Sequence, residues 1–491
     1  MPKRPLNNAQ VIPAPGRSLK DKICSGFIDY GIPAILIFSP LPAASVNEWS
    51  VLVIELAALL MAGAYLLMKD KPRINESLSR SSRWAVIFFG GFFLVLLIQI
   101  VPLPAFLVKV FSPNAYGYRW SYGGPAGLKF ASFSIIPSYS FQRGLELLAF
   151  FLIGWLVFRT VTRRRQIFRL VTILVGMGVF QALYGLFELS NESPRLLFYR
   201  KVHNLDSVTG TFVNRNHLSG YLEMIIPLAI GLIIARIDLS SFSRLSWREK
   251  TLRFSEKGFS VNLLLGLGIV VMAIAIVFSK SRSGVFVLAL VFLLFFGMVS
   301  LFFEMSGPQR TGIRVFLRTL FIVILLLSFG LGIDATLKRF ALDDLLHERR
   351  PMYWAYALHT FSDYPLLGTG LGTFGALAPR LEGRSGPISI EHAHNDYLEY
   401  LSELGVLGSA LLCGGILSLI VISWRAWRSR RHPEVKGLAL GGLISLVAIL
   451  VHSLTDFNLH IPANMVLFSV ILPLTMVTAF YRKETAPGGR R

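Results

Sequence analysis

Cysteine and charge are both scarce in this 491-residue chain. The two cysteines, Cys24 and Cys413, stand far apart, in or beside apolar stretches, so neither a disulfide framework nor a thiolate metal site is implied. Charged residues make up 16% of the chain, against about 25% in a soluble domain. With 53% hydrophobic residues, that shortage excludes a soluble enzyme and equally excludes disorder. Internal repeats are missing as well, which counts against transporters built from duplicated halves.

What the chain has in abundance is apolar runs. Twelve can be marked, at 31–46, 51–68, 84–101, 145–158, 168–187, 218–234, 261–278, 285–303, 315–333, 406–424, 438–451 and 465–481. A membrane span needs about 20 mostly apolar residues, so the expected fold is an all-α polytopic membrane protein with about 12 transmembrane helices. The formal charge of +21 would suggest a nucleic-acid partner in a soluble chain. Here the basic residues sit in short clusters between apolar runs, mostly on one side. They read as orientation signals that put both termini in the cytoplasm, and no nucleic acid is expected. Lys3, Arg4, Arg17, Lys20 and Lys22 make the N-terminus basic, but no short apolar region with a cleavage site follows. A retained first span is expected rather than a removed signal peptide.

Three long connections fall on the opposite, periplasmic face, at 111–145, 190–217 and 334–405. Connections of this length usually work as lids or binding loops. The organisation expected is an N-terminal membrane half (1–208) with its loop near 111–145, and a central region (209–463) containing the longest loop. A last span with a basic cytoplasmic tail (464–491) follows.

The most informative stretch is Glu391-His392-Ala393-His394-Asn395-Asp396-Tyr397-Leu398-Glu399, continuing to Glu403-Leu404-Gly405 and Gly408. Tyr397, Leu398, Leu401 and Leu404 follow helical spacing, and Asp396 with Glu399 fits a capping box. A helix starting just after His394 would fix that imidazole at the outer surface, where a group with a reference pKa of ~6.5 serves as a general base. A metal cluster of Glu391, His392, His394 and Asp396 is the alternative, but an all-local set lacks distant ligands, so no metal is expected.

Two further stretches, Gly210-Thr211-Phe212-Val213-Asn214-Arg215-Asn216-His217 and Ser279-Lys280-Ser281-Arg282-Ser283-Gly284, fall at the outer boundary of spans. Cations there run against the positive-inside bias and need a reason. A lipid-linked pyrophosphate supplies one, because guanidinium forks donate paired hydrogen bonds to phosphate oxygens. A fourth stretch joins Glu348-Arg349-Arg350-Pro351-Met352-Tyr353-Trp354 to a glycine-rich run, Pro365-Leu366-Leu367-Gly368-Thr369-Gly370-Leu371-Gly372, read as a loop with tight turns. His452, Asp456 and His460, around the turn between the last two spans, read as helix-end caps and polar packing.

Together these stretches resemble the O-antigen ligase and polymerase family of bacterial inner-membrane glycan transferases. The likeness rests on His394-Asn395-x-x-Leu398 with Glu403-Leu404-Gly405 and Gly408, and on Arg350, Trp354 and Pro365-Leu366-Leu367-Gly368. Gly210-Thr211-Phe212, Asn214, Asn216 and Ser281-Arg282-Ser283 complete it, over roughly 209–463. The resemblance implies a C-type glycosyltransferase fold with a large periplasmic loop over the active site. It also implies transfer of a glycan from undecaprenyl pyrophosphate to an acceptor hydroxyl, without a metal ion or other cofactor. The acceptor would be a glycan or lipid, or in related oligosaccharyltransferases a protein Ser or Thr.

Carried over by position, His394 is the base and Arg215 and Arg282 hold the donor pyrophosphate. Lys280 and Arg350 are expected to join them, with Asn216, Asn395 and Glu403 in support. One displacement by the hydroxyl would invert the anomeric centre. The rival expectation is a transporter or flippase of lipid-linked oligosaccharide, which would use ionisable residues near mid-membrane; Glu55, Glu188 and Glu223 are the ones in or near spans.

Overall fold

A computed structural model describes residues 18–123, 128–236, 257–302, 307–330, 349–381 and 390–481. The described residues form seventeen α-helices and two short two-stranded antiparallel sheets. The first half holds α1 (Leu19–Phe38), α2 (Glu48–Leu67), α3 (Glu76–Ser81), α4 (Arg83–Ile100), α5 (Ala105–Phe111), α6 (Pro113–Gly123), α7 (Pro137–Thr160) and α8 (Arg164–Leu189). The second half holds α9 (Arg215–Arg236), α10 (Lys257–Phe278), α11 (Arg282–Phe302), α12 (Gly307–Gly330), α13 (Arg350–Asp363), α14 (Phe374–Leu381), α15 (Asp396–Arg428), α16 (Pro433–His452) and α17 (Pro462–Phe480). Strands β1 (Leu103–Pro104) and β2 (Phe130–Ala131) pair, as do β3 (Arg195–Leu196) and β4 (Tyr199–Arg200).

Eleven of these helices are long and apolar enough to cross a membrane. With α1, whose Lys20, Asp21, Lys22 and Asp29 make it more polar, the long helices number twelve. The chain is an all-α polytopic membrane protein. Its middle is made by α9, α16 and α17, which are buried nearly all round, whereas α4 and α15 expose much of their surface. All of these helices are apolar on every side, so their hydropathy does not distinguish centre from rim. Small residues bring α9 and α16 together: a Cβ added at Gly441 would lie 2.5 Å from the Pro227 carbonyl oxygen, and one at Gly231 2.6 Å from that of Gly437. Close backbone approach at small residues is how helices associate where lipid gives no hydrophobic drive.

Several boundaries move. The first apolar run, 31–46, is not one helix: α1 ends at Phe38, and Pro40 and Pro42 lead into Ala43, Ala44 and Ser45, all with positive φ. Proline has no N–H to continue a helix, and the first turns that complete α1 are the charged ones. α7 begins at Pro137, so part of the loop expected at 111–145 is helix, and α9 begins at Arg215, so Arg215 and His217 belong to its first turn. Within the loop expected at 334–405, residues 331–348 and 382–389 lie outside the described residues. So do the basic stretches 1–17, 237–256 and 482–491.

A break in α15 positions the site. Gly405 stands at φ 62°, ψ −172° inside the helix. The backbone groups it frees are taken by the glycine-rich run: Val406 N–H donates to Pro365 O at 2.8 Å, and Thr369 and Gly370 N–H donate to Ser402 O and Glu403 O at 3.1 and 2.9 Å. From α4, the Gln99 amide donates to Leu367 O at 2.5 Å and Glu403 O at 2.9 Å. Non-helical backbone inside a membrane bundle persists only where protein satisfies it, as it does here. The two backbones touch, and a Cβ at Gly405 would lie 2.5 Å from the Leu366 carbonyl carbon and oxygen. Gly405→Ala therefore meets both a clash and a positive φ, and is expected to lose about 2–4 kcal/mol. The loss would be read as a drop in Tm in detergent, and an unchanged Tm refutes it.

Candidate active site

Five helix ends meet at one face of the bundle: the starts of α9, α11, α15 and α17 and the end of α16. The turn of Gly210 and Thr211 is pinned to α8, since Gln181 accepts from Thr211 N–H at 2.9 Å and donates to Thr211 Oγ1 at 2.9 Å. Thr211 Oγ1 also donates to Pro40 O at 2.5 Å, which puts the end of α1 at the same face. Asn214 Oδ1 accepts from Asn216 N–H at 2.9 Å. At the start of α11, Ser281 Oγ accepts from Gly284 N–H at 3.2 Å, and Ser279 and Ser219 hydroxyls meet at 2.8 Å, tying α10 to α9.

α15 is capped by Asn395, whose Oδ1 accepts from Tyr397 and Leu398 N–H at 3.0 and 3.1 Å. This corrects the capping box expected from Asp396 and Glu399. The cap lies one residue earlier; Asp396 reaches the segment before α17 instead, and Glu399 turns back to the residues just before the cap. Asp396 accepts from His460 Nδ1 at 2.6 Å and Leu459 N–H at 3.0 Å. Glu399 accepts from Ala393 N–H at 2.8 Å and meets His392 Nδ1 at 2.7 Å.

The residue that joins the expected groups is Asp456, fully buried in the turn between α16 and α17. Its Oδ1 lies 3.1 Å from His394 Nδ1. Its Oδ2 accepts from the Asn216 amide at 2.6 Å and lies 3.5 Å from the Arg350 guanidinium. His217 Nε2 stands 3.7 Å from Oδ1, too far for a hydrogen bond but close enough to feel the charge. Burial opposes ionisation of Asp456, yet the facing His217 and His394 hold its carboxyl well below the usual carboxylate range. Reading His452, Asp456 and His460 as caps and polar packing is therefore corrected, for Asp456 most of all. With Nδ1–H directed at that carboxylate, His394 Nε2 carries the free lone pair.

His394 is held firmly. Its φ of 51° is unusual for a residue with a Cβ, and such strain collects at functional sites. Trp354 Nε1 donates to its carbonyl at 3.3 Å, and the Tyr353 ring stacks at 5.8 Å. Phe457 touches three imidazoles, stacking on His392 at 4.1 Å and meeting His394 and His217 edge-on at 4.8 and 4.5 Å.

The other cations lie around this centre. Arg215, half-buried, donates to Ser207 Oγ at 3.3 Å. Lys280, at positive φ, donates to Asp206 Oδ2 at 2.7 Å, and this bond outweighs the opposing effect of burial and lowers the Asp206 carboxyl. Ser207 Oγ donates in turn to Asp206 at 3.0 Å, linking the two cations. Arg282 is half-buried beside Ser283, whose hydroxyl meets that of Thr455 at 2.8 Å, next to Asp456. Glu403 sits apart, fully buried, accepting from Gly372 and Phe374 N–H at 2.8 and 2.9 Å. Asn395 and Glu403 thus brace the loop, and Asn216 anchors Asp456. Of the ionisable groups near spans, Glu223 pairs with His452 at 2.9 Å, and Glu188 accepts from Arg195 N–H.

A second histidine–carboxylate group lies behind Phe457. Ligand atoms of His392, Glu399 and His460 lie within 4.8 Å of one another, a set able to approach a metal ion. The 2.7 Å His392–Glu399 contact is hydrogen-bond length, whereas neighbouring ligands on tetrahedral zinc stand about 3.3 Å apart. The group therefore reads as a hydrogen-bonded clamp on the approach to His394. Burial opposes charge on His460, but Glu399, Asp396 and Glu403 outweigh it and push the imidazole up to about 9. A folded value above the unfolded ~6.5 stabilises the fold fully below that pH, and the contribution is lost as pH rises through about 9. Melts from pH 6 to 10 are expected to show falling Tm in the wild type and a flatter profile in His460→Gln. An equally steep profile in the variant would assign the loss to another group.

Comparison with known proteins bears on the same residues. No curated protein matches the chain. A family model described as O-Antigen ligase matches residues 267–413, a stretch that runs from α10 into α15 and includes Lys280, Arg282, Arg350 and His394. Over those residues the chain is similar to the O-antigen ligase family.

Proposed function

We propose that this protein transfers a glycan from undecaprenyl pyrophosphate to an acceptor hydroxyl at the periplasmic face of the bacterial inner membrane, as a polysaccharide polymerase or O-antigen ligase, with both termini cytoplasmic. The observation that carries the reading is the His394–Asp456 pair, set among helix ends that also present Arg215, Arg282, Lys280 and Arg350.

The acceptor hydroxyl is a weak acid, so His394 Nε2 takes its proton as attack proceeds rather than before it. Asp456, ionised throughout, holds the ring in the accepting tautomer and steadies the imidazolium. The pyrophosphate leaves with growing negative charge, and the arginines aimed at that charge stabilise the transition state. Lys280 is already paired with Asp206 and takes part by exchanging that carboxylate for a phosphate oxygen. A single displacement inverts the anomeric carbon, and the cations supply the charge stabilisation a metal would otherwise give.

The test is transfer in vitro, with purified protein, a synthetic undecaprenyl-pyrophosphate glycan and a panel of glycan and lipid acceptors. Inverted product forming at an unchanged rate in EDTA supports the reading. Movement of donor across vesicles with no transfer supports a flippase instead. Arg282→Ala and Arg215→Ala are each expected to lower kcat about 10²- to 10³-fold, as removal of one preorganised donor does. Full activity in both variants removes them from the donor site. A deletion strain separates the two activities: loss of a ligase leaves long lipid-linked polymer, and loss of a polymerase leaves single repeat units.

A further inference from the structure

At the end of the bundle opposite His394, α4, α7, α15 and α17 enclose an open-sided cavity of about 460 Å³. That it opens at the far end follows from its mouth: Arg83 starts α4, whose other end carries Gln99 to the break in α15, and Arg159 ends α7. The walls are aromatic, with Phe89, Phe151, Trp155 and Phe158 among them. The mouth is polar, lined among the described residues by Ser79, Ser82, Arg83 and Arg159 and by no carboxylate.

Depth identifies what fits. Along α4 the lining runs from Arg83 to Phe93, ten residues, or about 15 Å at 1.5 Å per residue. Along α17 the lining continues from Met476 to Met465, one turn from the start of that helix, so the cavity rises past mid-membrane and is long enough to take an extended acyl chain. Its charge points the same way. Arg159 donates to the Tyr65 hydroxyl at 2.7 Å through Nε, a bond that does not use its two outer nitrogens, and Arg83 is exposed with no bonded partner among the described residues. A zwitterionic headgroup would bring a cation to two guanidiniums with no carboxylate to receive it, whereas a net-negative headgroup meets only attraction. Basic pockets between helices on the cytoplasmic side recognise acidic lipids in this way.

We propose that this cavity binds one anionic phospholipid of the leaflet facing away from the candidate active site, its phosphate held by Arg83 and Arg159 and an acyl chain laid along the aromatic wall. The site is separate from glycan transfer, and its test reads binding without turnover.

Protein purified in mild detergent and stripped of lipid is titrated with phosphatidylglycerol or phosphatidylcholine, and bound lipid is counted by native mass spectrometry. One phosphatidylglycerol is expected to bind at least tenfold tighter than phosphatidylcholine. The preference should fall to within twofold in Arg83→Ala with Arg159→Gln. Arg83→Ala alone, at an exposed side chain without a partner, should leave the fold intact and remove part of the preference. Equal affinity for the two lipids in the wild type overturns the proposal. So does a preference that Arg83→Ala leaves untouched, whether or not the double variant folds.

Discussion

Replacing His394 with alanine is expected to lower kcat for glycan transfer about 10²- to 10⁴-fold, the range general base catalysis contributes. The imidazole is 28% exposed and its one strong bond is to Asp456, so the variant should fold and bind donor normally. The signature is a fall in kcat at unchanged donor KM, with Tm within a few degrees of wild type. His394→Gln, which keeps a donor toward Asp456 but has no titrating nitrogen, should be equally slow. Wild-type turnover in either variant would show that the base is another group, and His217, 3.7 Å from the same carboxylate, would be examined next. A large loss of Tm would instead assign His394 a structural role, through its strained backbone and its contacts with Tyr353 and Phe457.

Local signals made His394 legible in the sequence. A histidine and asparagine just before a helical leucine pattern place an imidazole at a helix start, and the structure puts Asn395 at the cap. The cations at the neighbouring helix starts stand out for a similar reason, since in the expected topology Arg215 and Arg282 interrupt the charge bias of the loops. Most of the spans followed from apolar length alone. Asp456 was not legible, because its partners lie 62 and 240 residues away and a lone aspartate in a short turn resembles any polar turn residue. One signal was present: His452, Asp456 and His460 recur every fourth residue between two apolar helices, where ionisable groups are costly without a purpose.

Asp396 and Glu399 misled in the opposite direction. Their spacing satisfies a local rule, and partners at His460 and His392 took the side chains instead. The end of α1 failed for a third reason: apolar residues continue past Phe38 although Pro40 and Pro42 stop the helix.

The glycine-rich run shows what a pattern can conceal. As a sequence it reads as a loop with tight turns, and in the structure its N–H groups are spent on the carbonyls of Ser402 and Glu403 and on the Glu403 carboxylate. Its work is mechanical, holding the broken helix so that Asp396 and Asn395 face the turn that carries Asp456. In the proposed reaction, ligand recognition falls to side chains at helix starts, whose unsatisfied N–H groups add positive potential to the arginines.

Asp456→Asn is expected to lower kcat about 10²- to 10⁴-fold, the upper end matching the loss when the buried aspartate of a serine-protease triad becomes asparagine. The amide can present its oxygen to His394 or to Asn216 and Arg350, but no longer carries the charge that steadies an imidazolium. Donor affinity should behave differently. Arg350 lies 3.5 Å from the Asp456 carboxylate, and removing that charge loosens one hold on the guanidinium, so donor KM should stay level or fall while kcat drops. Asp456→Ala adds a second effect: a buried carboxylate that faces His394, Asn216 and Arg350 is lost outright, and breaking such a pair costs about 3–5 kcal/mol. It should lower Tm where the asparagine variant barely does. A purely structural Asp456 predicts another pattern, with kcat, KM and Tm all worsening together in both variants, and that result would separate the carboxylate from the chemistry of His394.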